Sequence, residues 1–206
     1  MANAFRVSSN IYFANLAVSL EPNPFRALLT DKLGLRHVPA QAKMDADLPD
    51  LGYGQGRLLV SPVEMARIAG CVANGGKMMS SRYIARLADP KDKDAGKKFA
   101  PQLLSQAMSG DTAGSLRAMM RSVVTKGTAR GVFPDAPMAV AGKTGTAQNE
   151  RADKEPHSWF AGFAPYTPEG MPKPARVYGF ACVVENGGYG KQVAAVICKQ
   201  VIEKLK

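Results

Sequence analysis

Gly142-Lys-Thr-Gly-Thr146 places one ammonium and two hydroxyls within four consecutive positions. In an extended strand, side chains alternate between faces. Thr144 and Thr146 then share one face, and Lys143 takes the other. Gly145 lets a ligand come close to the strand backbone. Such an edge can offer a carboxylate hydroxyl and N–H donors with a cation nearby. The bland alternative is a surface strand with a solvated lysine. From this composition a Lys-Thr-Gly triplet arises by chance roughly 0.05 times, so the motif is suggestive and no more.

Gly-Lys-Thr also occurs in phosphate-binding loops, which need a glycine five residues before the Gly of that triplet. Pro137 stands there, and Met138 to Ala141 are apolar. Nothing in that run forms a nest of N–H groups, so a nucleotide-binding reading is rejected. Gly52-Tyr-Gly-Gln-Gly56 fails as a dinucleotide fingerprint too. No apolar strand precedes it, and its third glycine is misplaced.

The 206 residues suffice for one domain with a sizeable core. A hydrophobic fraction of 46% and a charged fraction of 21% are ordinary for a globular chain. No apolar run approaches the ~20 residues of a membrane-spanning helix. The start, Met1-Ala-Asn-Ala-Phe5, lacks the basic and apolar regions of a signal peptide. The net charge of +10 is scattered, and its densest cluster, Lys91 to Lys98, is interleaved with Asp92 and Asp94. No aromatic-rich basic tract suggests base stacking, so nucleic acid is not the expected partner. Cys71, Cys182 and Cys198 sit in apolar surroundings without close spacing, and only His37 and His157 could add imidazole ligands. No zinc site is expected, and the cysteines read as small buried hydrophobes.

The elements that would position Lys143 follow in order. Ser8-Ser9-Asn10 opens a helix over 11–20, where Ser8 and Asn10 could serve merely as caps. Glu21-Pro-Asn-Pro24 stops it, and a short helix over 24–33 ends at Gly34. Residues 35–59 read as a long irregular connection, a length that often marks a functional loop. Ser61-Pro-Val-Glu64 starts a helix that ends at Asn74-Gly-Gly76. A short hairpin is expected over 77–87 and a charged loop over 89–98. A helix over 111–125, capped by Asp111 or Thr112, ends at Gly127-Thr-Ala-Arg-Gly131. Strands over 138–147, 158–164 and 176–185 should pair antiparallel. A final helix over 193–205 should cover the sheet with Val193, Ile197, Val201 and Leu205.

These features together resemble the transpeptidase domain of penicillin-binding proteins, in particular the class B, elongation-type enzymes. The likeness rests on Ser8-Ser9-Asn10, Gly52-Tyr-Gly-Gln-Gly56 followed by Ser61-Pro-Val-Glu-Met-Ala66, and Ala73-Asn-Gly-Gly76. It continues through Gly127-Thr-Ala129, Gly142-Lys-Thr-Gly-Thr-Ala-Gln148, His157-Ser-Trp-Phe-Ala-Gly-Phe-Ala-Pro165 and Val183-Val-Glu-Asn-Gly-Gly188. The order matches the family's order and spans nearly the whole chain.

The resemblance implies an α+β fold, with an antiparallel sheet flanked by helices, and an acyl-serine mechanism without a cofactor. It implies that Ser8 relays a proton, that Asn10 orients the substrate amide, and that Lys143 polarises Ser8 and draws the substrate carboxylate. Thr144, Gly145 and Thr146 would bind the acyl donor, with the Thr146 N–H as one oxyanion donor. The implied partners are peptidoglycan stem peptides, β-lactams in the intact domain and, for the parent, a membrane-anchored cell-wall synthesis complex. The parent would work on the outer face of the bacterial inner membrane. The family's nucleophile belongs to Ser-x-x-Lys, and no serine here has a lysine three positions later; Ser122-Val-Val-Thr-Lys126 is one residue too long. The chain is therefore expected to be the C-terminal part of one such domain. It would lack the N-terminal segment that carries the nucleophile, and would be inactive alone. Two alternatives remain at this point: a non-catalytic glycan-binding or scaffolding module, and a serine β-lactamase-like hydrolase.

Overall fold

The computed structural model describes residues 1–91, 96–149, 153–172 and 174–205. Its centre is an antiparallel sheet of β5 (Ala141–Ala147), β6 (His157–Ala164) and β7 (Tyr178–Val184), in the order β5-β6-β7. The register is continuous, with Gly145 opposite Trp159 and Phe160 opposite Cys182. Phe160 and Phe163 point to opposite faces, as their odd spacing requires. Phe160 packs in a cluster with Ala194, Ala195, Cys198 and Ile202 of α7 (Ala194–Ile202). Phe163 packs with Ala69 and Val72 of α5 (Pro62–Ala73) and Met120 of α6 (Gly110–Lys126). The sheet thus lies between helices and separates two apolar layers, the α+β arrangement expected.

The start of α5 follows the local rule. The Ser61 hydroxyl accepts the Glu64 N–H, and the Glu64 carboxylate accepts the Ser61 N–H at 2.8 Å. Burial alone would push the Glu64 carboxyl up. Hydrogen bonds from Ser61 and from the Arg36 N–H outweigh burial and hold it below its ordinary value. That bond also ties the first turn of α5 to the backbone at Arg36.

Before the sheet come three short helices, α1 (Ala2–Val7), α2 (Asn10–Ser19) and α3 (Pro22–Ala27), the last continued by a π turn over Leu28–Lys32. The expected irregular stretch over 35–59 in fact contains a 3₁₀ turn and α4 (Met44–Gly52). Pro49 lies inside α4, and the missing N–H is outweighed by burial. Met44, Leu48 and Leu51, at i, i+4 and i+7, close a small core with Ala17 of α2.

Four further expectations are corrected. No hairpin forms over 77–87; β1 (Lys77–Met79) pairs with β4 (Leu103–Gln106), and β2 (Arg86–Ala88) pairs with β3 (Gly96–Lys98). The charged loop expected over 89–98 therefore ends in a strand, and its positions 92–95 lie outside the described residues. The cap of α6 is Ser109, whose hydroxyl accepts the Thr112 N–H. The face that α7 buries is Ala194, Ala195, Cys198 and Ile202, not the Val193–Ile197–Val201–Leu205 stripe. Small residues let that helix approach the sheet closely, and the larger side chains are left outside.

That outer stripe has consequences. Ile197, Val201 and Leu205 join Tyr178, Phe180 and Cys182 around an open groove of about 330 Å³. Val201 is 53% exposed. Contiguous exposed apolar surface of this kind favours association. The chain is expected to self-associate at tens of micromolar, and Val201→Glu should weaken that association several-fold, because burying an unpaired carboxylate is costly. Sedimentation velocity checks this, and an unchanged distribution would place the contact elsewhere.

Candidate active site

Ser8 ends α1 in the left-handed region, at φ 59°, with its N–H bonded back into the α1 turn. This conformation costs a non-glycine residue about 1–3 kcal/mol, so the surrounding structure must hold it. The backbone closes α1 as a left-handed C-cap, while the Ser8 side chain is not the N-cap of α2. The cap of α2 is Ser9, whose hydroxyl accepts the Tyr12 N–H, so the Ser8 and Asn10 side chains on either side are free for other partners. The Ser8 hydroxyl takes its hydrogen bond from Lys143 Nζ, at 2.7 Å and 135 positions away in sequence.

Two devices bring Ser8 to β5. Gly127 at the end of α6 has no Cβ, and one placed there would stand 2.5 Å from the Arg6 carbonyl oxygen of α1. The Thr128 N–H follows by donating to that same carbonyl. Thr128 then shares a hydroxyl–hydroxyl bond of 2.7 Å with Thr144. One short Gly-Thr segment therefore docks α1 and fixes a threonine of the site. Its Ala129 is fully buried beneath.

On β5 the Lys143 ammonium also donates to the Thr144 carbonyl at 2.8 Å. Burial disfavours its charge, and its pKa falls from 10.5 to about 8. Gly142 has a packing reason rather than a phosphate-binding one, because a Cβ there would meet the Phe160 ring at 2.4 Å. The Thr146 hydroxyl accepts the Gly190 N–H at 3.4 Å. The Thr146 carbonyl turns away from β6 and accepts Nε2 of Gln55 at 3.0 Å. In an extended strand the N–H of a residue points the same way as its carbonyl, so the Thr146 N–H also faces outward.

A cleft of about 320 Å³ adjoins this edge. Asn10, Tyr53, Gln55, Thr146, Gln148 and Tyr189 are among the residues that line it. The structure thus brings Ser8, Lys143 and Thr144 into one bonded cluster, with Asn10 and Thr146 on the neighbouring cleft. Gly145 lies between the two threonines, paired with Trp159. Gln55 and Thr128 were missed as site residues. Thr128 left a signal in Gly127-Thr-Ala129, and Gln55 in the glycine-rich loop around it. Among the described residues, no group of three or more His, Cys, Asp or Glu could hold a metal ion. Cys198 is buried beside half-buried Cys182, and burial raises its thiol to about 12, so it is inert at neutral pH.

The edge of β5 therefore joins an ammonium, a serine hydroxyl and outward N–H groups beside an open cleft. Residues 1–203 match the penicillin-binding protein transpeptidase domain. The chain belongs to that family. It is 33% identical over 117 residues to stage V sporulation protein D of Bacillus subtilis, covering 55% of this chain and 18% of that protein. It is 28% identical over 222 residues to peptidoglycan D,D-transpeptidase PbpA of Mycobacterium tuberculosis, covering 98% of this chain and 43% of that one. A ceftriaxone acyl-enzyme complex of penicillin-binding protein A from M. tuberculosis superposes with a TM-score of 0.83 at 26% identity, over 98% of this chain and 47% of that one. The chain therefore spans less than half of each of these relatives. Its described helices include none long and apolar enough to cross a membrane.

The depressed Lys143 pKa has a measurable sign. The unfolded chain keeps that proton to about 10.4. This group therefore adds stability as pH rises from about 8 towards 10, and below about 8 the folded protein carries the cost of a buried ammonium. The ¹³Cε resonance of Lys143 should titrate with a midpoint near 8, well below that of the exposed lysines. A midpoint at the ordinary lysine value would show the ammonium open to water.

Proposed function

We propose that this chain supplies the Ser-x-Asn and Lys-Thr-Gly half of a serine-type D,D-transpeptidase site. It would form the C-terminal part of one transpeptidase domain, and the attacking serine would come from residues outside these 206. The observation that carries the reading is the 2.7 Å bond between Lys143 and Ser8. Two groups this distant in sequence meet where a leaving nitrogen would need a proton.

The chemistry assigns each group a task. The attacking serine gives its hydroxyl proton to a base that comes with it and forms an ester with the carbonyl of the penultimate D-alanine of a stem peptide, and the C–N bond to the terminal D-alanine breaks. Ser8 passes a proton to the departing nitrogen, and Lys143 replaces it through the bond already formed. A pKa near 8 keeps that proton loosely held at neutral pH. The outward Thr146 N–H faces the oxygen on which negative charge develops. Asn10 orients the donor amide, and the Thr144 and Thr146 hydroxyls with Lys143 receive its terminal carboxylate. An amine of a second stem peptide then takes the acyl group and completes a cross-link. A β-lactam follows the first half of this path and stops at the ester. The relatives that carry transpeptidase names and β-lactam acyl-enzymes support this assignment. Such a site belongs to a parent acting outside the inner membrane, within the machinery that builds the wall.

Intact mass spectrometry tests it. The chain alone, incubated with benzylpenicillin, should gain no covalent increment. A protein that extends it with a Ser-x-x-Lys segment should gain one stoichiometric adduct on that serine. In the extended protein Lys143→Ala should slow acylation by about 10²–10³-fold, since removing a group that acts on transition-state charge costs a few kcal/mol. Lys143→Arg should not rescue it, because a planar fork does not replace a compact ammonium. A stoichiometric adduct on Ser8 of the chain alone, or an unimpaired Lys143→Ala variant, would sink the assignment.

A further inference from the structure

We propose that the Gln55 carboxamide is a built-in stand-in for a peptide group on the outer edge of β5, and that an extended peptide displaces it on binding. The inference rests on the reading that this edge receives an acyl-donor peptide, and it names the residue that controls entry.

The hydrogen-bond pattern carries it. β5 ends the sheet order β5-β6-β7 and, among the described residues, pairs with a strand on one side only. On its other side, Gln55 Nε2 donates to the Thr146 carbonyl at 3.0 Å, and Gln55 Oε1 accepts the Gln148 N–H at 3.3 Å. The carbonyl of one residue and the N–H two positions later point to the same side of a strand. An adjacent strand bonds to such a pair. A primary amide has the same donor and acceptor as a peptide group. Gln55 therefore fills one rung of the ladder that a bound strand would make.

The loop is built so that this side chain can leave alone. Gln55 is half-buried, and it sits between exposed Gly54 at φ 83° and exposed Gly56 at φ 74°. The backbone is anchored independently, because the Gln55 N–H and the Tyr53 N–H both donate to the Asp50 carbonyl. Arg57 adds a charged bond to Asp47 of α4 at 2.6 Å. Withdrawal then needs only side-chain rotation, with no refolding of the loop. The exchange is nearly balanced, since two exposed bonds are lost and two equivalent ones form. The space that a ligand's side chains would need is present, in the cleft between Asn10, Tyr53 and Tyr189. A ligand without a backbone amide to offer Thr146 and Gln148 would not repay the displacement. Gln55 therefore selects for peptides against bare D-amino acids or glycans.

The test uses the 206-residue chain and fluorescein-labelled Nα-acetyl-L-Lys-D-Ala-D-Ala. Affinity is read by anisotropy, and exchange of the Gln148 amide is read at residue resolution. In the free protein Gln55→Ala should speed Gln148 exchange, and peptide should slow it again. Gln55→Ala should bind the peptide about five- to tenfold more tightly than wild type, because the competing occupant is gone. Gln55→Glu keeps the length but cannot donate to the Thr146 carbonyl, so it should also bind more tightly. This second variant decides the matter if the first fails to fold. Equal or weaker binding by the variants, with wild-type binding intact, overturns the Gln55 inference alone. Peptide binding to neither wild type nor variants overturns the transpeptidase reading of the edge, and this inference with it.

Discussion

The bond between Lys143 and Ser8 ties the first turn of the chain to its central sheet, and much of the structure serves to make it possible. An ammonium in a partly buried position needs oxygen acceptors. The Ser8 hydroxyl and the Thr144 carbonyl provide them. Ser8 reaches that place only in a left-handed conformation, at the point where α1 stops and α2 starts. α1 in turn is held because Gly127 leaves room for the Arg6 carbonyl, and because Phe5 packs into both apolar layers around the sheet. A larger residue at 127 would therefore act on the Lys143–Ser8 bond without touching it.

The parts of the fold that were legible in the sequence are those set by neighbours in the chain. Ser61-Pro-Val-Glu64 makes its capping box within four residues, and the three central strands keep their order and antiparallel sense. The parts that were not legible depend on distant partners. β1 cannot be paired by local pattern when its partner β4 lies beyond an intervening two-stranded sheet. α4 was hidden by Pro49, which reads locally as a breaker, whereas burial of Met44, Leu48 and Leu51 favours a helix. α7 shows two apolar stripes, and hydrophobicity alone favours the larger side chains. Close packing on the sheet selects the smaller ones.

The candidate site divides along the same boundary. Lys143, Thr144 and Thr146 stand together in one strand, so their grouping was visible at once. Their meeting with Ser8 followed from the family resemblance, and the geometry supplies a physical reason for it. The contact of Gln55 with Thr146 spans 91 positions and involves an uncharged side chain in a glycine-rich loop. No periodicity or charge pattern marks such a residue beforehand. Only the direction in which the Thr146 carbonyl points makes it significant.

The two sides of the sheet's surroundings differ in chemistry, and the difference bears on what each can receive. The outer edge of β5 is met by an amide, hydroxyls and an ammonium, each bonded to the strand or to a neighbour. Polar partners of this kind exchange with water or a ligand at little net cost, so the edge suits something that arrives and leaves. The stripe on α7 and the facing residues of β7 are apolar and open. Covering them gains free energy in proportion to area and offers no directional bond to exchange. Such a surface suits a lasting cover. A polar edge whose partners can exchange and an apolar stripe that favours a lasting cover therefore sit on opposite flanks of one three-stranded sheet, and β6, paired along its length with both β5 and β7, holds the two flanks in one register.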